Sequence, residues 1–191
     1  MGFELDGWRT AVLGIAPAVA PDVADAFLAL LDGSPLPASR SQMEPGHLTA
    51  SAFVLSPDGT GLLLVDHVAL GRWLQPGGHL EADASPMAAA AREAVEETGV
   101  TLTSGEVIDL DVHDIPSRPS RGEAAHRHYD VRVAFHAVGW ALDASADGGV
   151  RAARWVTWAE LDAVNTDVSV RRTAARLRAW AVSAGRPRPP G

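Results

Sequence analysis

Cysteine is absent from the chain, which excludes disulfide bracing and any metal site built on thiolates. Long apolar runs are missing as well, and nothing approaches the roughly 20 residues that a membrane-spanning helix needs. Basic charge is in deficit: 16 Lys and Arg stand against 24 Asp and Glu, a formal net charge of −8. A nucleic-acid-binding surface normally shows a basic stripe, so neither nucleic acid nor membrane is expected as a partner. A small phosphorylated molecule remains compatible, because a metal and a few basic groups can meet its charge locally. No internal repeat is present. The nearest thing to a targeting segment is Ala11 to Ala20, but Glu4 and Asp6 outweigh Arg9 upstream of it. That is the wrong charge for a signal peptide, so a packed or loosely ordered N-terminus and a cytoplasmic protein are expected.

What is present suffices for a sizeable core. With 191 residues, 47% of them hydrophobic, the chain is expected to form one domain with extensions. Residues 21 to 31 read as a short helix, followed by a Ser/Pro-rich linker to about Pro45. Leu48 to Leu55 and Gly61 to Asp66 are apolar runs joined by the turn sequence Ser56-Pro57-Asp58-Gly59, a strand hairpin by pattern. Short strands are expected at Arg72 to Gln75 and Glu106 to Val112, and a longer one at Tyr129 to Val138. Around Trp155 to Leu161 a strand should pass into a short helix. A basic amphipathic helix over 168 to 183 carries Val170, Ala174, Leu177 and Ala181 on one face. Gly185 to Gly191 reads as a flexible tail. Strands with helices before and after them predict an α/β fold, a mixed sheet covered on both faces.

The most informative segment runs from Gly77 to Val100. Ser85-Pro86 is a helix start, since Ser caps free backbone N–H groups and Pro suits the first helical position. Ala88 to Ala91 favour the helix, and Gly99 suits its left-handed end. In a helix over about 86 to 98, Glu93, Glu96 and Glu97 share one face. Met87, Ala88, Ala91 and Val95 lie opposite, and that second face is expected to pack on the sheet. Three like charges at this spacing repel, and Arg92, able to pair with Glu96, cannot balance them all. A hard cation with oxygen ligands can, and Mg²⁺ would also bind a substrate's phosphates.

This segment resembles the Nudix box: a Gly, five residues, Glu, seven residues, then Arg-Glu, an aliphatic residue, any residue, Glu-Glu, any residue, Gly and an aliphatic residue. Gly78, Arg92, Glu93, Glu96, Glu97, Gly99 and Val100 match, and Ala94 is a small version of the first aliphatic position. The resemblance implies an α/β/α sandwich with a mixed central sheet over residues 47–183, with residues 1–46 as an N-terminal extension and 184–191 as a tail. It implies Glu93, Glu96 and Glu97 as ligands of Mg²⁺, or of Mn²⁺ in its place. It implies catalytic roles for Glu93, Glu96 and Arg92, with Glu93 orienting or deprotonating the attacking water. One position departs: Ala84 stands where the family has its first Glu, the acid that braces loop and helix through the Arg. Arg92 is therefore left to pair with Glu96, Glu81 or Asp83, and Ala84→Glu is expected to change the rate only modestly.

Substrate contacts are expected from Gly77, Gly78 and His79, from His113 at a strand end, and from His126 and His128. His126, His128 and Asp130 alternate with period two and point to one side of an extended segment, where they could hold phosphate, orient a base or ligate a second metal. Singly, each of these histidines is more often a satisfied structural residue. Trp73-Leu74-Gln75-Pro76-Gly77-Gly78-His79 and the His-x-His-Tyr-Asp run are similar to subsets of Nudix proteins. Trp73 and Trp155 could stack on a base, although packing is the commoner job of Trp. Asp143 and Asp147 are candidates for a late acidic ligand. Together these features imply a metal-dependent hydrolase cleaving a phosphoanhydride in a nucleotide or nucleoside-diphosphate derivative. Two alternatives stand beside it, a phosphatase acting on a small monophosphate and a nucleotide-sensing module without catalysis. The oligomeric state stays open, a homodimer included.

Overall fold

The computed structural model describes residues 5–81, 83–119, 122–144 and 149–183. Helices α1 (Leu5–Ile15) and α2 (Pro21–Gly33) precede strands β1 (His47–Leu55), β2 (Gly61–His67), β3 (Arg72–Leu74) and β4 (Gly77–His79). Helix α3 (Pro86–Thr98), strands β5 (Glu106–Ile115), β6 (His126–His136) and β7 (Val150–Thr157), and helix α4 (Val168–Ser183) complete the order.

The strands form one mixed sheet ordered β3-β2-β1-β6-β5, with β4 added to β1 and β7 to β2. Its centre is the parallel pair β1–β6, in register from His47↔His128 to Leu55↔His136. The expected hairpin is present, and its turn is held by Asp58, whose carboxylate accepts from the Thr60 N–H at 3.0 Å and the Ser56 hydroxyl at 2.8 Å, as short acidic turn residues do. Its strands part company soon after: Leu55↔Leu62 is their register pair. Beyond it β1 turns its edge to β4, while β2 pairs with β7 and β3.

Alternation along the strands divides the core. Leu48, Ala50, Ala52 and Val54 of β1 and Tyr129, Val131, Val133 and Phe135 of β6 face α1, α2 and α3, in one cluster with Trp8, Val12, Phe27, Ala89, Ala90 and Ala94. Phe53, Leu55, Leu62, Leu64 and Ala134 face the other way, against Val170, Ala174, Leu177 and Ala181 of α4. Helices thus cover both faces of the sheet, and the face read for α4 is the one it buries.

Three expectations are corrected. The short helix expected around Trp158 to Leu161 is absent; residues 158–163 form successive turns, their chain held by Glu160, which accepts from the Thr157 N–H at 2.9 Å. The N-terminus contains α1, absent from the sequence reading, and it is packed: Trp8 and Val12 are fully buried. On α3 the packed stripe is Ala89, Ala90 and Ala94, whereas Met87 and Val95 are exposed. Small side chains let the helix axis approach the sheet, which large ones at 87 and 95 would prevent. The tail expected over 184–191 lies outside the described residues. Among those residues no helix is long and apolar enough to cross a membrane.

Candidate active site

Helix α3 begins and ends as its sequence dictates. The Ser85 hydroxyl accepts from the Ala88 N–H at 3.2 Å, and Gly99 closes the helix at φ 65°. Strand β4 lies beside it, paired with β1 through Thr49↔His79, Ala50↔Gly78 and Ser51↔Gly77. Close approach demands glycine at 77, and glycine at 78 leaves room for the Glu93 carboxylate. A Cβ on Gly77 would sit 2.6 Å from Ser51 Cβ, and one on Gly78 would sit 2.7 Å from Glu93 Oε1. The absence of a side chain at 77 thus lets β4 lie close on β1, and its absence at 78 keeps open the space that the Glu93 carboxylate occupies.

The three glutamates differ in setting. Glu97 is 6% exposed, and its Oε2 accepts from the Gly77 N–H at 3.2 Å. Burial, with repulsion from Glu93 and Glu96 added, pushes its carboxyl up to about 8 despite that hydrogen bond. Glu93 is also raised, by burial first, with Arg92 opposing. Glu96 is exposed.

Arg92 ties the box together. Its Nε and Nη2 donate to the two Asp83 oxygens at 3.1 and 3.0 Å, its Nη1 to Glu93 at 3.0 Å and Glu96 at 2.9 Å, and Nη2 also to the His79 carbonyl at 3.0 Å. Asp83, one residue before Ala84, supplies the acid missing from the pattern. Burial works against the Asp83 carboxylate, yet the Arg92 hydrogen bond holds it below its usual range. Glu81 uses only its backbone here, donating its N–H to Asp83 at 3.0 Å.

Across the cavity stands a wall of imidazoles. His47 and His128 centroids are 4.9 Å apart, His47 and His126 5.0 Å, His47 and His79 5.1 Å, and His113 and His128 5.5 Å. Burial lowers His128 to about 2 and His79 to about 4, with neighbouring imidazoles adding to the effect, so both are neutral at pH 7. His113 goes the other way: burial lowers it, but the Asp111 carboxylate at 2.9 Å outweighs that and raises it.

Behind the wall lies an ionic layer under α4. Arg132, 1% exposed, reaches Asp130 at 3.1 Å and Asp111 at 2.9 Å, and donates to the Thr173 hydroxyl at 2.8 Å. Arg172 bridges Asp109 at 3.2 Å and Asp111 at 2.7 Å. Asp130 also accepts from Ser51 at 2.7 Å and Thr49 at 3.2 Å. The buried charges are thus paired and hydrogen-bonded, as burial demands.

The cavity between glutamates and imidazoles has a volume of 680 Å³, and Arg40 and Arg118 also line it. A family model described as the NUDIX domain matches residues 45–181. The chain belongs to the Nudix family. A curated relative, a probable DHNTP pyrophosphohydrolase of Lactococcus lactis, is 36% identical over 95 residues. That match spans 49% of this chain and 56% of the relative, about half the length of each. Among solved structures, the dihydroneopterin triphosphate pyrophosphohydrolase of E. coli is similar at TM-score 0.56 and 14% identity, covering 71% of this chain and 95% of that one. The Nudix domain of Shewanella oneidensis NrtR, complexed with ADP ribose, is similar at TM-score 0.53 and 22% identity, covering 80% of this chain and 96% of that one. At these identities the structural likeness speaks for the fold, a mixed sheet with flanking helices.

Within this Nudix domain, Gly77, Gly78, His79, Arg92, Glu93, Glu96, Glu97, His113, His126 and His128 all line the one cavity. Trp73 is not brought there. It packs against the core beneath α4, with the Arg154 guanidinium 4.7 Å from its ring centre. Trp155 stacks edge-on against Trp140. Asp143 lies against Gly99, its N–H donating to the Thr98 carbonyl at 2.8 Å, and does not line the cavity; Asp147 is outside the described residues. His47 escaped the sequence reading. Its signal was the period-two run His47-x-Thr49-x-Ser51, polar on one side of an otherwise apolar strand.

Proposed function

We propose that this Nudix domain hydrolyses a phosphoanhydride bond in a nucleotide or nucleoside-diphosphate derivative, with Mg²⁺, or Mn²⁺ in its place, held by Glu93, Glu96 and Glu97. The observation that carries this reading is the buried Glu97 beside Glu93 on one helix face, where burial pushes Glu97 up to about 8 and raises Glu93 as well. Oxygen-only donors suit a hard divalent cation, and neutralisation by one would relieve this repulsion. Such a cation, when bound, supplies charge for the substrate's phosphate oxygens and for the attacking water.

The chain's own residues do the rest. Glu93, close-packed on Gly78 and raised in pKa, is suited to orient the water and take its proton as the oxygen attacks phosphorus and the bridging P–O bond breaks. Arg92 fixes Glu93 and Glu96 in place. Neutral His79, beside the glycines, can hydrogen-bond a phosphate oxygen, and His113, His126 and His128 form the facing wall. Arg40 and Arg118 line the cavity and can meet remaining phosphate charge.

The test is a product-resolved turnover screen, with Mg²⁺ and without it. The panel spans nucleoside triphosphates, sugar nucleotides, ADP-ribose, dinucleoside polyphosphates and monophosphates. It also includes dihydroneopterin triphosphate, because two similar proteins bear that name. Mg²⁺-dependent release of pyrophosphate or a nucleoside monophosphate, lost in Glu96→Gln, is expected. Orthophosphate released from monophosphates alone would favour the phosphatase that the imidazole wall could also serve. Tight binding without turnover would make the domain a nucleotide sensor.

A further inference from the structure

The glutamates account for one side of the cavity; the imidazoles opposite have a geometry of their own. His47, His126 and His128 each offer a ring nitrogen within 4.8 Å of the other two. His126 Nε2 and His128 Nε2 are 3.3 Å apart. Two nitrogens bound at about 2.0–2.1 Å to a tetrahedral ion stand roughly that far from each other.

Tautomers agree with the spacing. His47 Nδ1 lies 3.0 Å from the Gln42 carbonyl, and His126 Nδ1 lies 2.8 Å from the Ala124 carbonyl. A carbonyl only accepts, so each Nδ1 carries the proton and donates it. That leaves the Nε2 of both rings carrying a lone pair, that of His126 directed at His128 Nε2 and that of His47 without a partner, the outer-shell arrangement that orients metal-binding imidazoles. His47 is 1% exposed, and its buried Nε2 has no hydrogen-bond partner. An acceptor held without a partner in a cavity wall points to a ligand. Asp130, the acid that alternates with these histidines, is not available, since Ser51, Thr49 and Arg132 take its oxygens.

We propose that His47, His126 and His128 form a second, separate cation site, a three-imidazole site for Zn²⁺ or a similar borderline transition ion, facing the carboxylate site across the same cavity. Imidazole nitrogen selects such ions over Mg²⁺, which prefers oxygen. The three rings are the right number for a site whose fourth position is left to water or a substrate oxygen. The site stands whether or not the glutamates support hydrolysis.

The experiment uses the full chain, stripped with chelator, exposed to Zn²⁺ in the presence of excess Mg²⁺, dialysed, and analysed for bound metal. A parallel Co²⁺ titration follows the visible absorption that distinguishes tetrahedral nitrogen ligation from octahedral oxygen ligation. One Zn²⁺ per chain and a tetrahedral Co²⁺ spectrum are expected, both retained in Glu97→Gln. In His126→Gln, Zn²⁺ affinity should fall by about 100-fold or more, beyond the roughly 10–100-fold cost of an outer-shell change. His126 is only half-buried, so this variant should fold even if one at His47 does not. No retained Zn²⁺ in the wild-type chain, or unchanged Zn²⁺ binding in His126→Gln, would overturn the proposal. So would loss of Zn²⁺ in Glu97→Gln.

Discussion

Asp83 grips Arg92 through both carboxylate oxygens, at 3.1 and 3.0 Å, from the position just before the alanine that replaces the family's acid. The brace has therefore shifted by one residue rather than disappeared. Asp83→Ala should cost about 1.5–3 kcal/mol, the range for hydrogen bonds to charged groups, and should lower turnover by loosening Arg92 from Glu93 and Glu96. Ala84→Glu alone should change the rate modestly. The double variant Asp83→Ala/Ala84→Glu should recover part of the loss, and thermal melts with kcat measurements on the three proteins check this. A double variant no better than Asp83→Ala would show that position 84 cannot reach Arg92 in this loop.

Glu97 sets stability against activity. Its buried carboxyl, raised to about 8, resists ionisation in the cation-free protein. Replacing it with Gln keeps the shape and a neutral group, the state that burial already favours at pH 7. Cation-free Glu97→Gln should melt no lower than the wild type, while turnover falls about 100-fold or more, exceeding the effect of outer-shell changes. Differential scanning calorimetry and steady-state kinetics on the same samples decide it.

The same carboxyl makes cation binding depend on pH. At pH 7 it is mostly protonated when no cation is present, and a bound cation requires the carboxylate. Mg²⁺ binding should therefore release close to one proton at pH 7, and affinity should rise with pH until about 8, then level. In the cation-free protein the sign for stability is opposite. A carboxyl whose folded value exceeds its unfolded one favours folding least when ionised, so stability from this group declines as pH rises from the unfolded value near 4.5 to about 8. Calorimetric titrations in buffers of different ionisation enthalpy count the proton, and urea midpoints across pH test the second statement.

Helix α1 should matter to the whole domain. Trp8 is fully buried in the cluster that also holds Phe27 of α2 and Tyr129 of β6. Trp8→Ala should cost about 3–5 kcal/mol, as large aromatic truncations in cores do, read as a lower urea midpoint with unchanged slope. A loss under about 1 kcal/mol would mean that α1 is dispensable.

Parts of this architecture are legible because local chemistry alone decides them. Ser85, Pro86 and Gly99 fix both ends of α3, and Val170, Ala174, Leu177 and Ala181 fix the inward face of α4. Other parts depend on what arrives from elsewhere in the chain. Hydrophobicity picks Met87 and Val95 as the packed side of α3, but the sheet's proximity selects Ala89, Ala90 and Ala94. Helix α1 carries Gly7 and Gly14, weak helix formers, and is held by the burial of Trp8 and Val12. The glutamates and glycines of the site form a contiguous motif and can be read directly. The role of His47 cannot, because its partners are His126 and His128 on a strand that only the fold makes adjacent.

That adjacency has a consequence for how the protein comes into being. Ser51 and Asp130 meet across β1 and β6, 79 positions apart, and parallel strands joined over such a separation pair late. During synthesis β4 and the glutamate helix leave the ribosome well before β6 exists, so a nascent chain carries the acidic half of its cavity without the His126 and His128 part of the opposite wall. Arrested or truncated chains ending before His126 would hold the whole sequence signature of the family and yet lack the chamber.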